Sequence, residues 1–418
     1  MDNNATTWPE QELENLKAIK VLGKGATGTV FLVHHKSNDP AARCPFALKV
    51  VEKSSLSMKP NAESRARREI SILNRLKQQP SLHSFLPNLL GTFDTDDYLC
   101  WATPYCPGGD LNVLRFRQFD HVFSLAVIRF YLAEIICALE KLHSMGIVYR
   151  DLKPENILIQ HSGHLTLTDF DLSRTLSPKK METLLFTSDP EGEPSANIRK
   201  QHHRHRRNLT RFITLKMEKN KALGSNKGLK KAKSARVSPV SRRNPNLSAE
   251  RTNSFVGTEE YVAPEIIRGD GHEFAVDWWA LGVLCYEMLY GTTPFRGKNR
   301  NETFWKVLMM QPEFIGKPNS LTDLIGKLLE KDPTRRLGYQ RGASEIKEHE
   351  YFRGLRWDLI TEVLRPPFLP YRDETELTEL SKGGTDIRDY FQKLKVPPSP
   401  SWSPSLDECR HNVSLTEF

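Results

Sequence analysis

The segment 149–156, YRDLKPEN, places two carboxylates, two cationic side chains and an amide close together. Asp151 can accept the proton of a hydroxyl group, and Lys153 can neutralise charge on a phosphoryl group in transfer. Asn156 can bind Mg²⁺, and Asp169, in the apolar stretch LTLTDFDL, adds a second hard oxygen ligand. Because phosphoryl transfer depends on positioning and charge neutralisation more than on covalent chemistry, these residues predict a phosphoryl-transfer site.

A glycine-rich stretch, GKGATGTV at 23–30, has the form GxGxxGxV. Glycines let the backbone approach phosphate oxygens closely. The pattern alone is a weak signal, since a hairpin turn also fits it. It lies between two predicted strands and not between a strand and a helix, which favours a loop over nucleotide phosphates and disfavours a dinucleotide fingerprint. The residues of this loop assigned to nucleotide binding are Gly23, Lys24, Gly25, Gly28 and Val30.

Lys49 lies in an apolar predicted strand, FALKVVEK. A lysine in a strand is usually on the solvated face, and burying it requires an acidic partner. The helix predicted over 62–77 offers Glu69. We therefore predict that Lys49 binds the α- and β-phosphates of ATP while Glu69 fixes its amine, and we assign Ala47 to the same nucleotide site.

The hydrophobic pattern predicts the elements that hold these residues. From 14 to about 104 the chain is strand-rich, interrupted by a helix-period segment at 62–77. From about 107 to 176 and from 251 to 356 it is mostly helical. The segments SLAVIRFYLAEIICALEKLHSM and VDWWALGVLCYEMLYG are apolar on most faces, which is typical of core helices, and the second ends at Gly291, a natural helix stop.

Residues 177–250, named here the basic insert, lack sustained periodicity. Within 199–243 there are 16 Lys/Arg and one acidic residue. Such a composition does not repay its ordering entropy, so we expect disorder. Residues 175–250 carry 18 Lys/Arg and 6 Asp/Glu, a net +12, whereas the whole chain is +9, so the rest sums to −3. The basicity is local and disfavours general nucleic-acid binding.

Composition excludes several classes of protein. The chain has 418 residues, of which 38% are hydrophobic, enough for a sizeable core. Its six cysteines show no CxxC spacing, which suits a reducing compartment. No apolar run reaches the length of a membrane span. The start MDNNATTWPEQE has no signal-peptide pattern, and Asp2 excludes N-myristoylation, so we expect neither.

Taken in order, the motifs resemble those of the eukaryotic protein kinase superfamily over about residues 15–356, apart from the basic insert. The triad APE at 263–265 resembles the family's element of that sequence, and Asp277 resembles the acid of the following core helix. Arg336 resembles the arginine that pairs with Glu265 in the family. The resemblance implies an α+β, bilobal kinase fold with ATP bound between the lobes.

Several features resemble the AGC group of kinases. Tyr149 replaces the usual His of the HRD motif, and HEYFRGLRW and RPPFLP near the C-terminus also match that group. Asp171 stands where most kinases have Gly, and a long insert precedes GTEEYVAPE. This combination resembles plant group VIII, the class of PINOID, the phototropins and the oxidative-signal-inducible kinases, and we favour the last branch.

The resemblance divides the chain into four parts. A flexible N-terminus (1–13) precedes a strand-rich N-lobe (14–104) and a mainly helical C-lobe (105–356) that contains the basic insert. The remaining residues, 357–418, form an AGC-type tail.

The segment from Thr103 to Cys106 occupies the family's hinge, with Thr103 as gatekeeper. Pro104 stands where an acid is common but still offers a carbonyl to the adenine amine, and Cys106 supplies the N–H. A substituted Asp171 could compromise its turn, although Asp tolerates left-handed dihedrals better than most residues. We assign Asp110 to the nucleotide site as well.

Substrate choice is implied by acids and by one threonine. Asp110, Glu155 and Glu287 fall where basophilic AGC kinases place acids that pair with substrate arginines; solvated surface carboxylates are the alternative reading. Thr258, in GTEEY, is expected near Asp151 and favours a Ser/Thr acceptor. The implied partners are protein substrates.

Two further segments suggest regulation. Ser254, in RTNSFVGT, occupies the activation-loop phosphosite position, where a phosphate could pair with Arg150; an ordinary loop serine is the alternative. The chain ends LTEF, in which Leu415 and Phe418 resemble the hydrophobic motif that recruits the phosphoinositide-dependent kinase, although Leu415 replaces the first Phe.

Within the basic insert, RRNLTRFITLKM (206–217) interleaves cations with apolar residues in an ambiguous period. Anionic phospholipids could bind 199–243; a nuclear-import signal and a solvated, phosphorylatable loop are alternatives. Nucleic-acid binding is not expected, because no aromatic platform accompanies the charge.

The sequence therefore predicts a monomeric serine/threonine protein kinase that uses ATP and Mg²⁺. Its expected location is the cytoplasm, with peripheral plasma-membrane or nuclear association. The alternative is a lipid-tethered scaffold with a vestigial kinase domain. The intact set of Lys49, Glu69, Asp151, Asn156 and Asp169 argues against a scaffold.

Overall fold

The N-terminal strands, each with several buried positions, build an antiparallel sheet. The order of its six strands is β10-β1-β2-β3-β5-β4. These strands are β1 (Leu16–Lys24), β2 (Thr29–His35), β3 (Phe46–Glu52), β4 (Gly91–Asp94), β5 (Tyr98–Pro104) and, from the tail, β10 (Thr385–Asp386). The computed structural model describes residues 11–25, 28–36, 44–57, 61–78, 85–176, 259–270, 273–363, 366–369, 385–387 and 389.

Three helices accompany this sheet: α1 (Gln11–Glu14), α2 (Lys53–Ser57) and α3 (Ala62–Lys77). The bounds of α3 agree with the helix predicted over 62–77. Its buried face runs through Ala66, Glu69, Leu73 and Leu76, at the i, i+3/i+4 spacing of one helix face. A glutamate therefore takes a core position on the helix that packs beside β3.

The following part of the chain is mainly helical, as predicted. Its α-helices are α4 (Leu111–Phe116), α5 (Leu125–Ser144), α6 (Pro264–Arg268), α7 (Ala275–Tyr290), α8 (Arg300–Met309), α9 (Ser320–Leu328) and α10 (Ala343–Lys347). Short 3₁₀ turns span Phe119–His121, Pro154–Asn156, Glu259–Tyr261, Glu350–Phe352 and Trp357–Glu362. Two small hairpins complete it: β6 (Ile147–Val148) pairs with β9 (Arg174–Thr175), and β7 (Ile157–Ile159) with β8 (Leu165–Leu167).

The two long helices form the centre of this helical part. Helix α5 begins at Ser124, whose side chain accepts a hydrogen bond from the N–H of Val127. Helix α7 is buried along almost its whole length and ends at Gly291, whose φ of 73° is the left-handed value that glycine adopts without strain. Both predicted core helices and the predicted stop are confirmed. None of the helices in the described ranges is long and apolar enough to cross a membrane.

Two pieces of the tail contact the folded chain at separate places. Phe368 lies on the helical part, with its ring 6.4 Å from that of Tyr131 and nearly parallel to it. Further along, β10 pairs antiparallel with β1, and Ile387 is fully buried in the core beneath the sheet. The prolines predicted an extended tail over a surface, but the added strand has no signal in the sequence strong enough to predict it.

Candidate active site

The glycine-rich loop closes a hairpin. Gly23 pairs with Val30 across β1 and β2, and within the loop the N–H of Gly25 donates to the carbonyl of Gly28 at 2.8 Å. A Cβ on Gly28 would collide with the carbonyl oxygen of Val50, so a side chain cannot be accommodated there without movement. The predicted strand–loop–strand arrangement is confirmed, and the half-buried Val30 lies opposite Lys49 in the sheet.

Lys49 lies between two carboxylates. Its Nζ is 2.8 Å from Oε2 of Glu69 and 3.0 Å from Oδ1 of Asp169. Glu69 comes from α3, whereas Asp169 follows β8, so one amine joins the sheet, the helix and the helical part of the chain. The pairing expected between Lys49 and Glu69 is present in the structure.

Burial and charge act in opposite directions on this pair. Burial alone lowers the pKa of Lys49, but Glu69 and Asp169 raise it, and its pKa lies above the usual value. The amine is therefore cationic at neutral pH. Burial raises the pKa of Glu69 to about 7, although the charge of Lys49 opposes that shift.

Sequence reasoning missed Trp101, which completes this cluster. Its indole Nε1 donates to Oε1 of Glu69 at 3.2 Å, and its ring centre is 5.1 Å from the amine of Lys49. Lys49 and Trp101 are direct neighbours across β3 and β5. The two-residue period of β5 was a usable signal, because it places Trp101 on the same face as Thr103.

The catalytic loop gathers its polar groups around Asp151. Oδ2 of Asp151 accepts from Nζ of Lys153 at 2.8 Å and from Nδ2 of Asn156, also at 2.8 Å. Asn156 additionally donates to the backbone carbonyl of Asp151 at 2.9 Å. These contacts fix the orientation of a buried carboxylate beside a half-buried lysine, and they direct the amide oxygen of Asn156 away from Asp151.

A buried acid on α7 accepts hydrogen bonds from the backbone of this loop. Asp277, on α7 and fully buried, accepts from the backbone N–H groups of Tyr149 and Arg150 at 2.8 and 2.7 Å. Nε2 of His143 lies 2.8 Å from the same carboxylate. Arg150 has a φ of 73°, a left-handed conformation unusual for a residue with a side chain. The hydrogen bonds from the N–H groups of Tyr149 and Arg150 to Asp277 hold the backbone in this left-handed conformation.

The turn from Asp169 to Asp171 differs from expectation in one respect. The strained residue is Asp169, with φ of 56°, and Asp171 is not among the positive-φ residues, so replacing glycine there costs no backbone strain. Burial, followed by the charge of Asp169, raises the pKa of Asp171 to about 6, while Lys49 and Arg65 lower it. Oδ2 of Asp171 lies 3.9 Å from Arg65.

The side-chain oxygens of Asn156 and Asp169 are of the type that binds Mg²⁺. Asn156 has its amide oxygen, and Asp169 is a carboxylate with 37% of its side chain exposed. Among the residues the structure describes, no group of three or more His, Cys, Asp and Glu side chains is arranged to hold a metal. Mg²⁺ is commonly held by one or two protein oxygens together with phosphate oxygens and water.

The predicted hinge residues lie at the C-terminal end of β5 and just after it. Thr103 is the cross-strand partner of Ala47, and Pro104 is the partner of Phe46. After them, Cys106 is half-buried, and burial raises the pKa of its thiol to about 12. Asp110 caps α4 by accepting from the N–H of Val113 at 2.7 Å. Part of its role is therefore local and structural.

The two other predicted substrate-binding acids already have partners within the chain. Glu155 accepts from Asn112 at 3.4 Å and is exposed. Glu287 lies 3.1 Å from Arg115 and accepts from the hydroxyl of Tyr261. Sequence spacing could not reveal these partners. Four assigned residues lie outside the described ranges: Ser254, Thr258, Leu415 and Phe418.

A buried ion pair joins α6 to the segment that follows α9. The guanidinium of Arg336 binds Glu265 through two hydrogen bonds, of 2.6 and 2.9 Å, and also donates to the carbonyl of Ala275 at 2.8 Å. Arg336 is 1% exposed and Glu265 is 3% exposed. The pairing that the family resemblance implied is confirmed.

Comparison with known proteins agrees with this geometry. A model of the protein kinase domain matches residues 16–190 and 240–352. The chain therefore belongs to the protein kinase family. The gap in the match falls within the basic insert, as the motif pattern predicted.

Similar proteins are plant serine/threonine-protein kinases. UCNL of Arabidopsis thaliana is 58% identical, over 97% of this chain and 96% of its own. UCN of the same plant is 54% identical over the same shares. OXI1 is 43% identical, over 92% of this chain and 84% of its own. The resemblance to plant AGC kinases is confirmed, and UCNL and UCN are more similar to this chain than OXI1 is.

Proposed function

We propose that this protein transfers the γ-phosphoryl group of Mg·ATP to serine and threonine hydroxyls of proteins. The observation that carries the proposal is the amine of Lys49 held between Glu69 and Asp169, because it places a fixed cation beside a metal-binding carboxylate. A cation and a carboxylate in this arrangement are what the positioning of a nucleoside triphosphate requires. A vestigial domain has no need of it.

The residues of the site have separate roles in binding the nucleotide and in accepting the proton. Lys49 binds the α- and β-phosphates under the glycine-rich loop, and Ala47, Thr103, Pro104 and Cys106 surround the adenine. Asp151 orients the acceptor hydroxyl and receives its proton through Oδ1, since Oδ2 is engaged with Lys153 and Asn156.

Charge on the transferring group is balanced from two sides. Lys153, 2.8 Å from Asp151, faces the phosphoryl group. Asn156 and Asp169 would hold Mg²⁺, which would supply positive charge to the phosphate groups of ATP. Asp110 adds a carboxylate at the edge of the nucleotide pocket.

Substrate preference follows from negative charge near the acceptor. Glu155 is exposed, and its hydrogen bond from Asn112 is long at 3.4 Å, so among the three acids it suits a substrate arginine best. Glu287 can take one only by sharing its charge with Arg115. We therefore propose a preference for basic residues near the acceptor, together with Thr258 as a determinant of Ser/Thr selection.

The test is transfer of labelled γ-phosphate by the full chain to three peptides, one with arginines before serine, the same peptide with tyrosine, and one with glutamates before serine. Transfer to the first peptide alone, lost on chelation of Mg²⁺ and restored by adding it back, is the expected result. Equal transfer to the tyrosine peptide would contradict the assigned acceptor, and equal transfer to the acidic peptide would contradict the role of Glu155.

Phosphorylation of Ser254 is proposed as the activating modification. Burial, followed by the charge of Arg174, lowers the pKa of Arg150 to about 10. Since neighbouring cations disfavour one another's charge, a phosphate between them would gain strong hydrogen bonds. This supports a phosphate partner for Arg150 in the active state.

Other proposed relations rest on the sequence alone. We place the protein in the cytoplasm as a monomer, with peripheral membrane or nuclear association, and propose that residues 415–418 engage the upstream phosphoinositide-dependent kinase.

Residues 199–243, with 16 Lys/Arg, would bind anionic phospholipids. Sedimentation of the full chain with phosphatidylserine vesicles, but not with phosphatidylcholine vesicles, is expected. Equal sedimentation with both kinds of vesicle would contradict the proposal that the Lys/Arg residues bind anionic lipid through their charge.

A further inference from the structure

Asp171 has a carboxylate that the proposed transfer reaction does not use. The residue is 8% exposed, and its Oδ2 lies 3.9 Å from Nη1 of Arg65. Its backbone carbonyl accepts from Nη1 of Arg68 at 3.3 Å. Two arginines of one helix therefore contact the turn that begins with Asp169.

That helix is α3, which also supplies Glu69. Arg65 and Glu69 are four residues apart and Arg68 is three after Arg65, so all three lie toward one side of the helix. Glu69 reaches Lys49 in the sheet, while the arginines reach the turn. The same side of α3 thus contacts both elements that meet at the amine of Lys49.

The carboxylate of Asp171 partly offsets the repulsion among the cations around it. Burial, then the charges of Arg174 and Arg65, lower the pKa of Arg68, and Asp171 opposes this. A glycine at 171 would leave these cations without that neighbouring carboxylate. It would also leave the turn freer, because glycine has the largest conformational freedom of any residue.

We propose that Asp171 is a positioning residue: its ion pair with Arg65 holds the turn carrying Asp169 against the helix carrying Glu69, and so fixes both carboxylates around Lys49. The inference rests on the proposed function for the roles of Lys49 and Asp169. It requires that the pair act at the nucleotide-binding step, since those two carboxylates orient the amine that contacts phosphate.

The experiment is a double-mutant cycle in the full chain with Asp171→Asn, Arg65→Gln and both together. Asp171→Asn keeps the size of the side chain and removes its charge. Each single variant is expected to raise the Kd for Mg·ATP, measured by titration calorimetry, and its KM by about fivefold, with KM for peptide unchanged. The double variant should resemble either single one, and Arg65→Lys should keep most of the wild-type affinity.

Arg67→Gln is the matched control. Arg67 lies on the same helix but turns outward to Glu63 and Asp94, with half of its side chain exposed. Removing its charge should leave the Kd for Mg·ATP at the wild-type value. Melting temperatures of all variants without nucleotide separate a loss of folding from a loss of binding.

The outcomes distinguish the inference from the proposed function. Single variants that bind Mg·ATP like the wild type, or effects that multiply in the double variant, would overturn the Arg65–Asp171 pair while leaving the kinase mechanism intact. If the wild type binds Mg·ATP but transfers nothing, the proposed function fails, and the calorimetric cycle still decides whether the pair positions the nucleotide.

Discussion

Asp151→Asn is expected to lower the rate of phosphoryl transfer by ~10²–10⁴, the range typical of a lost general base. Asparagine keeps the size of the side chain but cannot accept the hydroxyl proton. It also leaves Lys153, 2.8 Å away, without the carboxylate that fixes it. The measurement is kcat with an arginine-rich serine peptide, with KM for ATP determined alongside.

KM for ATP should change little, because the nucleotide contacts are assigned to Lys49 and the glycine-rich loop. Asp358→Asn serves as the control, since Asp358 is an exposed carboxylate paired with Arg356 far along the chain. A melting temperature for each variant excludes unfolding. If Asp151→Asn kept activity within about tenfold of the wild type, the assignment of Asp151 as base would be wrong.

Much of the site was predictable because its chemistry is encoded locally. The segment 149–156 carries the proton acceptor, a cation and an amide within one loop, and the structure brings all three together. The partner of Lys49 was predictable for a different reason: a lysine in a buried strand needs an acid, and the helix predicted over 62–77 offered Glu69, which the structure places on the buried face.

Contacts between distant segments were not predictable in the same way. Trp101 reaches Glu69 only because β5 pairs with β3 in one particular register. Glu287 was predicted to bind substrate arginines, yet the structure places Arg115 of α4 within 3.1 Å of it. Asp171 is a clearer example of a contact that the sequence could not predict. Its sequence position suggested strain, whereas the strain lies at Asp169 and Asp171 meets Arg65. Such pairings depend on tertiary placement that no local pattern records.

The largest effect on stability is expected at Arg336. Arg336→Met removes a guanidinium that is 1% exposed and leaves Glu265, 3% exposed, as a buried charge without its partner. Breaking one side of such a pair costs about 3–5 kcal/mol. The free energy of unfolding, from denaturant titration followed by tryptophan fluorescence, should fall by that amount. The ring of Trp279, centred 5.1 Å from the guanidinium, reports on the same region.

Replacing both partners tests the physical reason. In Arg336→Met with Glu265→Leu neither charge of this pair remains buried, so part of the lost stability should return. Recovery should be incomplete, because Arg336 also donates to the carbonyls of Ala275 and Glu330, and both of these hydrogen bonds would be lost. Arg356→Met, which breaks only an exposed pair, should leave the unfolding midpoint unchanged. A double variant less stable than Arg336→Met would mean that the unpaired carboxylate is not the source of the loss.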